Sequence, residues 1–187
     1  MVEAGLRLIE PAEELREMYL EYIDAFRAAG ESRLQDKRKR VANDFAGFVQ
    51  KCRDEAAGHN LTGTHVPATS YWLVCGRRIL GTCRLRHRLN ARLQQHGGHI
   101  GYDVRPNERC KGYATRMLSM VLERARALGL TRVMVTCDKD NIASARVIQK
   151  NGGVLDSEGW WWEDGAKVMI QRYWIDLQGG MTQGEHR

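Results

Sequence analysis

Arg105-Pro106-Asn107-Glu108-Arg109-Cys110-Lys111-Gly112-Tyr113-Ala114-Thr115 decides how this chain reads, because of what lies on either side of it. Before it, Ile100, Tyr102 and Val104 alternate with Gly101 and Asp103, the period of a half-buried strand, and Pro106 ends the run. After it, Ala114, Met117, Leu118, Val121, Leu122 and Ala125 recur at helical spacing as one apolar stripe, stopped by Gly129. Val133-Met134-Val135 follows as a short, continuously apolar run, the mark of a strand covered on both faces. Strand, helix and strand predict a right-handed βαβ unit with parallel neighbours. The quoted stretch is then a strand-to-helix turn. The first amides of a helix have no intrahelical partner, its macrodipole places partial positive charge there, and Gly112 lets a bulky phosphate approach the backbone. Arg109 and Lys111 add formal charge. An ordinary strand-to-helix turn has the same composition, so the loop alone leaves phosphate binding open.

Outward from this unit, residues 6–9 alternate as a first strand, and Pro11 opens a helical pattern over residues 13–29 that Gly30 stops. Phe45, Phe48, Val49 and Cys52 mark a second amphipathic segment, and the polar, Gly-containing residues 58–70 read as a loop. Tyr71-Trp72-Leu73-Val74-Cys75 and residues 79–85 form a hairpin hinged at Gly76-Arg77-Arg78. Asn141 is placed to cap a helix over residues 142–150, which Asn151-Gly152-Gly153 ends. Two closing strands, residues 154–162 and 167–177, meet at the turn signal Glu163-Asp164-Gly165. No repeat or linker divides the chain, so residues 1–177 read as one domain, with residues 178–187 a polar, Gly-rich tail expected to be disordered.

Composition limits the function classes. Forty-three per cent apolar residues and 28% charged residues are globular values. No apolar run approaches the roughly 20 residues of a membrane span. The first residues lack the basic and then apolar pattern of a secretory signal. Five cysteines, odd in number and never in a CxxC pair, argue against a disulfide framework and a zinc site; reduced thiols and a cytoplasmic location are expected. His96 with His99 is the only close histidine pair and no ligand cluster accompanies it, so no metal is expected. The net charge of +6 suits a polyanionic ligand, and no nucleic-acid motif accompanies it. Its sharpest run, Lys37-Arg38-Lys39-Arg40, reads as a solvated helix end.

A P-loop needs GxxxxGK followed by Ser or Thr, and a dinucleotide fold needs GxGxxG with an acidic residue downstream; neither is present. Arg109-Cys110-Lys111-Gly112-Tyr113-Ala114 does resemble the acetyl-CoA loop of the GNAT superfamily of N-acetyltransferases: Gln or Arg, two residues, Gly, one residue, Gly or Ala. The run from Ile100 to Pro106 looks like that family's fourth strand, and Asn141-Ile142-Ala143-Ser144 like the opening of its fourth helix. The resemblance is strongest from His99 to Gly152 and is most similar to the branch that acetylates protein N-termini and related small amines. It implies a mixed α/β domain of the α+β type: a mostly antiparallel sheet with one splayed parallel strand pair, flanked by helices, with acetyl-CoA in the split. It further implies that Arg109, Cys110, Lys111, Gly112, Tyr113, Ala114 and Thr115 hold the pyrophosphate through their amides. Tyr102, Asp103 and Val104 would align the pantetheine and the thioester carbonyl, and Asn141 would contact the cofactor arm. The partners are then acetyl-CoA and an unidentified amine.

Departures from the family bear on the chemistry. The usual tyrosine donor, four residues beyond Ser144, is Ile148, and the aromatic that often follows the helix-ending glycine is Gly153. The strand glutamate that some members use falls on Gly98. Ser144 is therefore the candidate donor to the departing thiolate, with a role in capping as its alternative, and His99 is a candidate base with a surface or capping role as its alternative. Tyr102 completes the candidate catalytic set. Cys110 and Cys137 have no histidine at motif spacing, so direct transfer without an acyl-cysteine is expected. Trp160-Trp161-Trp162 reads as containing at least one core residue, with a substrate cleft or a homodimer contact as alternatives. A non-catalytic CoA-binding or basic interaction module is the rival from another class.

Overall fold

The computed structural model describes residues 5–31, 34–163 and 165–178. Leu6–Ile9 (β1), Ala68–Cys75 (β2), Arg78–Arg86 (β3) and Ile100–Val104 (β4) pair antiparallel in that order as one four-stranded sheet. Arg132–Asp138 (β5), Val154–Glu163 (β6) and Ala166–Asp176 (β7) make a three-stranded sheet in the order β5-β7-β6, also antiparallel.

Each face of the four-stranded sheet carries its own core. On one side lie Arg16–Ala28 (α1), entered through a 3-10 turn at Glu13–Leu15, and Gln35–Asn43 (α2) and Phe45–Ala57 (α3). Their apolar faces close over Trp72, Val74 and Ile79. Tyr19 stacks on Trp72 with ring centroids 4.4 Å apart. On the other side Tyr113–Ala127 (α5) lays its stripe of Met117, Leu118, Val121, Leu122 and Ala125 against Leu73, Leu85 and Ile100, and every residue of that stripe is buried. Burying such a side chain contributes about 1.5–3 kcal/mol, so the helical spacing in the sequence is the energetic reason α5 docks here. The second sheet joins this core through Val133, Val135, Tyr173 and Ile175, as does Ile142–Lys150 (α6) through Ala145 and Ile148.

The structure adds to and corrects the sequence reading. The basic run is not a solvated helix end: it lies within α2, where Arg38 forms a two-pronged ion pair with Asp24 (2.6 and 2.8 Å) and Lys37 folds inward over aromatic rings. A short helix, Ala91–Gln95 (α4), capped by the Asn90 side chain, is missing from the sequence reading because five residues carry no legible period. Ala68, Thr69 and Ser70 belong to β2 rather than to a loop. None of the three tryptophans is core: Trp160 and Trp162 are 58% and 70% exposed, and the half-buried Trp161 lies 5.4 Å from the His96 ring. A two-stranded hairpin extending past the sheet has no second layer to cover it. The five cysteines are free. The tail expectation for residues 179–187 lies outside the described residues. Among the described residues, no helix is long and apolar enough to cross a membrane and no group of three His, Cys, Asp or Glu gathers to hold a metal.

Candidate functional site

The two sheets touch where β4 begins and β5 passes it. The His99 amide donates to the Met134 carbonyl (2.7 Å), and the Met134 amide donates to Nδ1 of the His99 ring (2.9 Å). Gly97 donates its amide to the Thr136 hydroxyl (3.0 Å). Beyond this junction, among the described residues, β4 pairs only with β3 and β5 only with β7. The expected parallel neighbours are therefore joined at one end and part at the other. A histidine side chain and a threonine hydroxyl take the places that strand backbone would fill in a continuous ladder.

This arrangement corrects the candidacy of His99 as a base. Its ring is buried, at 6% exposure, and its Nδ1 lone pair is spent on Met134. Burial, aided by the nearby Arg86 guanidinium, pushes its pKa down to about 4. Gly98 has φ +57, and a Cβ there would stand 2.5 Å from the Met134 carbonyl oxygen. The family's strand glutamate is thus excluded by geometry at this junction.

The alternation of β4 sorts its residues. His99 accepts from Arg86 and Arg105 donates to Leu80, so in an antiparallel ladder the backbone of the odd-numbered residues faces β3. The N–H and C=O groups of Tyr102 and Val104 then face the split, as the pantetheine role requires. Asp103 is corrected: its backbone serves the β3 ladder, and its side chain lies with Gly101 on the opposite face, lining a cavity of about 910 Å³ under α2 and α3. The strand therefore separates the split from this cavity.

Across the split, the Tyr102 hydroxyl reaches Ser144 in the first turn of α6, with Oη and Oγ 2.8 Å apart. Asn141 is the helix cap, its Oδ1 accepting the Ser144 amide (3.0 Å), so the Ser144 hydroxyl is left for Tyr102 and for the neighbouring Cys137 thiol. Burial pushes the Tyr102 phenol up to about 12 and the Cys137 thiol up to about 11, so both keep their protons near neutrality. Asn151, at the far end of α6, donates to the Thr115 and Val147 carbonyls (3.2 and 2.9 Å) and ties α6 to the first turn of α5. Ile148 is fully buried, and a Cβ at Gly153 would stand 2.4 Å from its Cγ2, so the two departures from the family are one contact.

The loop before α5 has the backbone form that suits an anion. Pro106–Glu108 forms a 3-10 turn, Cys110 has φ +61 and Gly112, the N-cap of α5, has φ +82. Alternation of this kind turns successive amides toward a common point. The first helical hydrogen bond runs from Arg116 to Gly112, so the amides of Tyr113, Ala114 and Thr115 precede the ladder. Nothing lies within 4 Å of where a Gly112 Cβ would stand. The two basic side chains are engaged elsewhere. Arg109 makes a two-pronged ion pair with Glu31 (2.6 and 3.0 Å), and Lys111 binds the buried Glu108 (2.9 Å), which Arg78 also holds (3.1 Å). Their formal charge is locally neutralised, and the cradle relies on amides and helix dipole. The backbone of this loop, with the Tyr102 and Val104 edge beside it, fits a diphosphate carrying an extended arm.

The sequence reading missed the cavity under α2 and α3. Lys37, Arg40, Phe48, Cys52 and Glu55 reach it from α2 and α3, and Trp72, Arg84 and Asp103 from the sheet. The one trace in the sequence was the basic run of α2.

Comparison with known proteins agrees with this geometry. Residues 14–154 match the acetyltransferase (GNAT) domain family. An uncharacterised N-acetyltransferase, YnaD of Bacillus subtilis, is 30% identical over 91 residues, which cover 43% of this chain and 52% of the relative, so the match spans about half of that protein. Among solved structures, the microcin C7 self-immunity acetyltransferase MccE, in complex with acetyl-CoA and AMP, is 16% identical with a TM-score of 0.65 over 94% of both chains. RimL, the ribosomal L7/L12 alpha-N-protein acetyltransferase, in complex with coenzyme A, is 16% identical with a TM-score of 0.64, covering 95% of this chain and 98% of that one. At these identities the structural likeness shows a shared fold.

Proposed function

Because the chain belongs to the GNAT acetyltransferase family, we propose that it is an N-acetyltransferase that moves the acetyl group of acetyl-CoA to a primary amine by direct transfer in a ternary complex. The observation that carries this reading is the parting of β4 and β5 beyond the His99–Met134 junction, with the amide cradle of Gly112 on one side of the gap and Ser144 on the other.

Acetyl-CoA supplies the activated acyl group, and the residues of this chain bind, orient and move protons. The amides ahead of α5 hold the pyrophosphate, and the open edge of Tyr102 and Val104 aligns the pantetheine. An amide on that edge, aimed at the thioester oxygen, stabilises the negative charge that develops there as the amine attacks. The amine enters from the cavity on the other face of β4, where Asp103 is the strand carboxylate placed to hold it and to take its proton directly or through water. The carbon–sulfur bond then breaks, and Ser144 donates its proton to the sulfur and is resupplied by the Tyr102 hydroxyl 2.8 Å away. The phenol acts as a proton source in the family's usual manner but from β4 instead of α6. No cysteine is acylated. The Cys137 thiol, buried and raised to about 11, is a poor nucleophile.

CoA release from acetyl-CoA, measured with a panel of primary amines and corrected for background hydrolysis, tests this reading. Amine-dependent release supports it. Specific acetyl-CoA binding with no release for any amine would leave a non-catalytic CoA-binding module.

A further inference from the structure

The acceptor cavity is charged in a way that amine transfer alone does not require. Five cations line it: Lys37, Arg40, Lys51, Arg84 and Arg86. Of its three carboxylates, Asp44 caps α3 by accepting the Gly47 amide (2.8 Å), and Glu55 pairs with Arg84 (3.0 Å) and with Lys51. Arg86 is spent on the Gly97 and Gly98 carbonyls (2.9 and 3.0 Å). Lys37 and Arg40 remain. They stand three residues apart and so share one face of α2, the face that Val41 also turns to the cavity. Among the described residues neither forms an ion pair. The Lys37 ammonium is packed over the rings of Tyr19 and Phe48 at 5.4 and 5.5 Å, and burial lowers its pKa. Asp103 is near enough to act on it electrostatically.

A partly desolvated cation with no ion pair among the described residues, beside a carboxylate, suits a ligand of the opposite order of charge. Resting on the acetyltransferase reading above, we propose that the acceptor is an amphoteric small molecule: its amine is held at Asp103, and a carboxylate or phosphate a few bonds from the nitrogen is seated on Lys37 and Arg40. Lys37 is then the specificity determinant. Its stem is fixed by the Tyr19 and Phe48 rings, so little side-chain freedom is lost when the anion arrives. The same charge repels polyamines, whose second ammonium would meet it.

Matched amines test this. Glycine is compared with glycinamide, O-phosphoethanolamine with ethanolamine, and spermidine is added as a polycation, with CoA release as the readout. The anionic member of at least one pair should exceed its neutral partner in kcat/KM by roughly ten- to a hundred-fold, the equivalent of one charge-assisted hydrogen bond. Lys37→Met should reduce that ratio by a similar factor, mainly through KM, and Lys37→Arg should restore most of it. A lysine that merely packs on aromatic rings would change stability and leave the ratio alone. An unchanged melting shift with acetyl-CoA shows that the Met variant is folded; if it is not, Arg40→Gln is read in its place. Equal or better use of both neutral partners, or of spermidine, overturns the proposal and leaves the acetyltransferase reading standing. If no amine supports release, melting of the CoA-bound protein with O-phosphoethanolamine and with ethanolamine still decides: preference for the phosphate upholds the anion seat, and equal shifts remove it.

Discussion

The Tyr102 hydroxyl and the Ser144 Oγ stand 2.8 Å apart across the gap between β4 and α6, and Asn141, not Ser144, caps that helix. In the proposed mechanism the pair is an acid built from two elements. Ser144→Ala removes the hydroxyl without touching the cap, and turnover should fall roughly ten- to a hundred-fold, the worth of a hydrogen bond to a charged group of about 1.5–3 kcal/mol. Tyr102→Phe should produce a loss of the same order. Groups acting as one unit are not additive, so the double variant should be little worse than the worse single variant. Losses that multiply would show two independent roles. Unchanged turnover in Ser144→Ala would leave water as the donor.

Gly112 sets the cradle through its φ of +82, with open space around its missing Cβ. A Cβ at position 112 meets nothing within 4 Å, so the main cost of Gly112→Val to folding is backbone strain, about 1–3 kcal/mol. Relief of that strain and the added bulk both take amides away from the phosphate position. The melting shift produced by acetyl-CoA should disappear while the protein alone still melts cooperatively. A full shift in this variant would place the diphosphate elsewhere.

Arg109 is tied to Glu31, so in the proposed reading the loop amides, not this side chain, hold the pyrophosphate. An exposed ion pair contributes only about 0–1 kcal/mol. Arg109→Ala should therefore weaken acetyl-CoA binding less than about ten-fold, and Glu31→Gln, which releases the guanidinium, should leave binding equal or tighter. Loss of all binding in Arg109→Ala would mean that the side chain itself carries the phosphate.

His99 makes the strand junction pH-sensitive. Its folded pKa is about 4 against a reference of 6.5, so the unfolded chain takes up the proton first as the pH falls. The junction's contribution is complete above about pH 6.5 and is lost progressively down to about pH 4. The melting temperature should fall over this window, and His99→Gln, which cannot take up the proton, should show a flatter profile between pH 6.5 and 5, before carboxylates dominate. Parallel profiles for the two proteins would contradict a neutral, accepting imidazole.

What the sequence revealed and what it hid divide by range. The α5 stripe, the Asn141 cap and the 109–114 loop are local patterns, each determined by residues within one or two turns, and the structure places each as expected. The cavity under α2 and α3 joins those helices to β2, β3 and β4, further along the chain, and no short motif encodes that packing. Lys37 reads as solvent-facing because its neighbours are charged. Tyr19 and Phe48, brought together by folding, pack under it and draw it inward. His99 was visible, but its partner Met134 lies on the other sheet, so its junction role had no signature in the chain.

Amide hydrogen exchange, with and without acetyl-CoA, tests the central claim most directly, that the cofactor occupies the gap between β4 and β5. The account predicts slowed exchange at Tyr102 and Val104 and at the amides of residues 110–115, with β1 and the β6–β7 hairpin unaffected. Protection confined to any other region, or the same pattern produced equally by ATP or NAD, would contradict it.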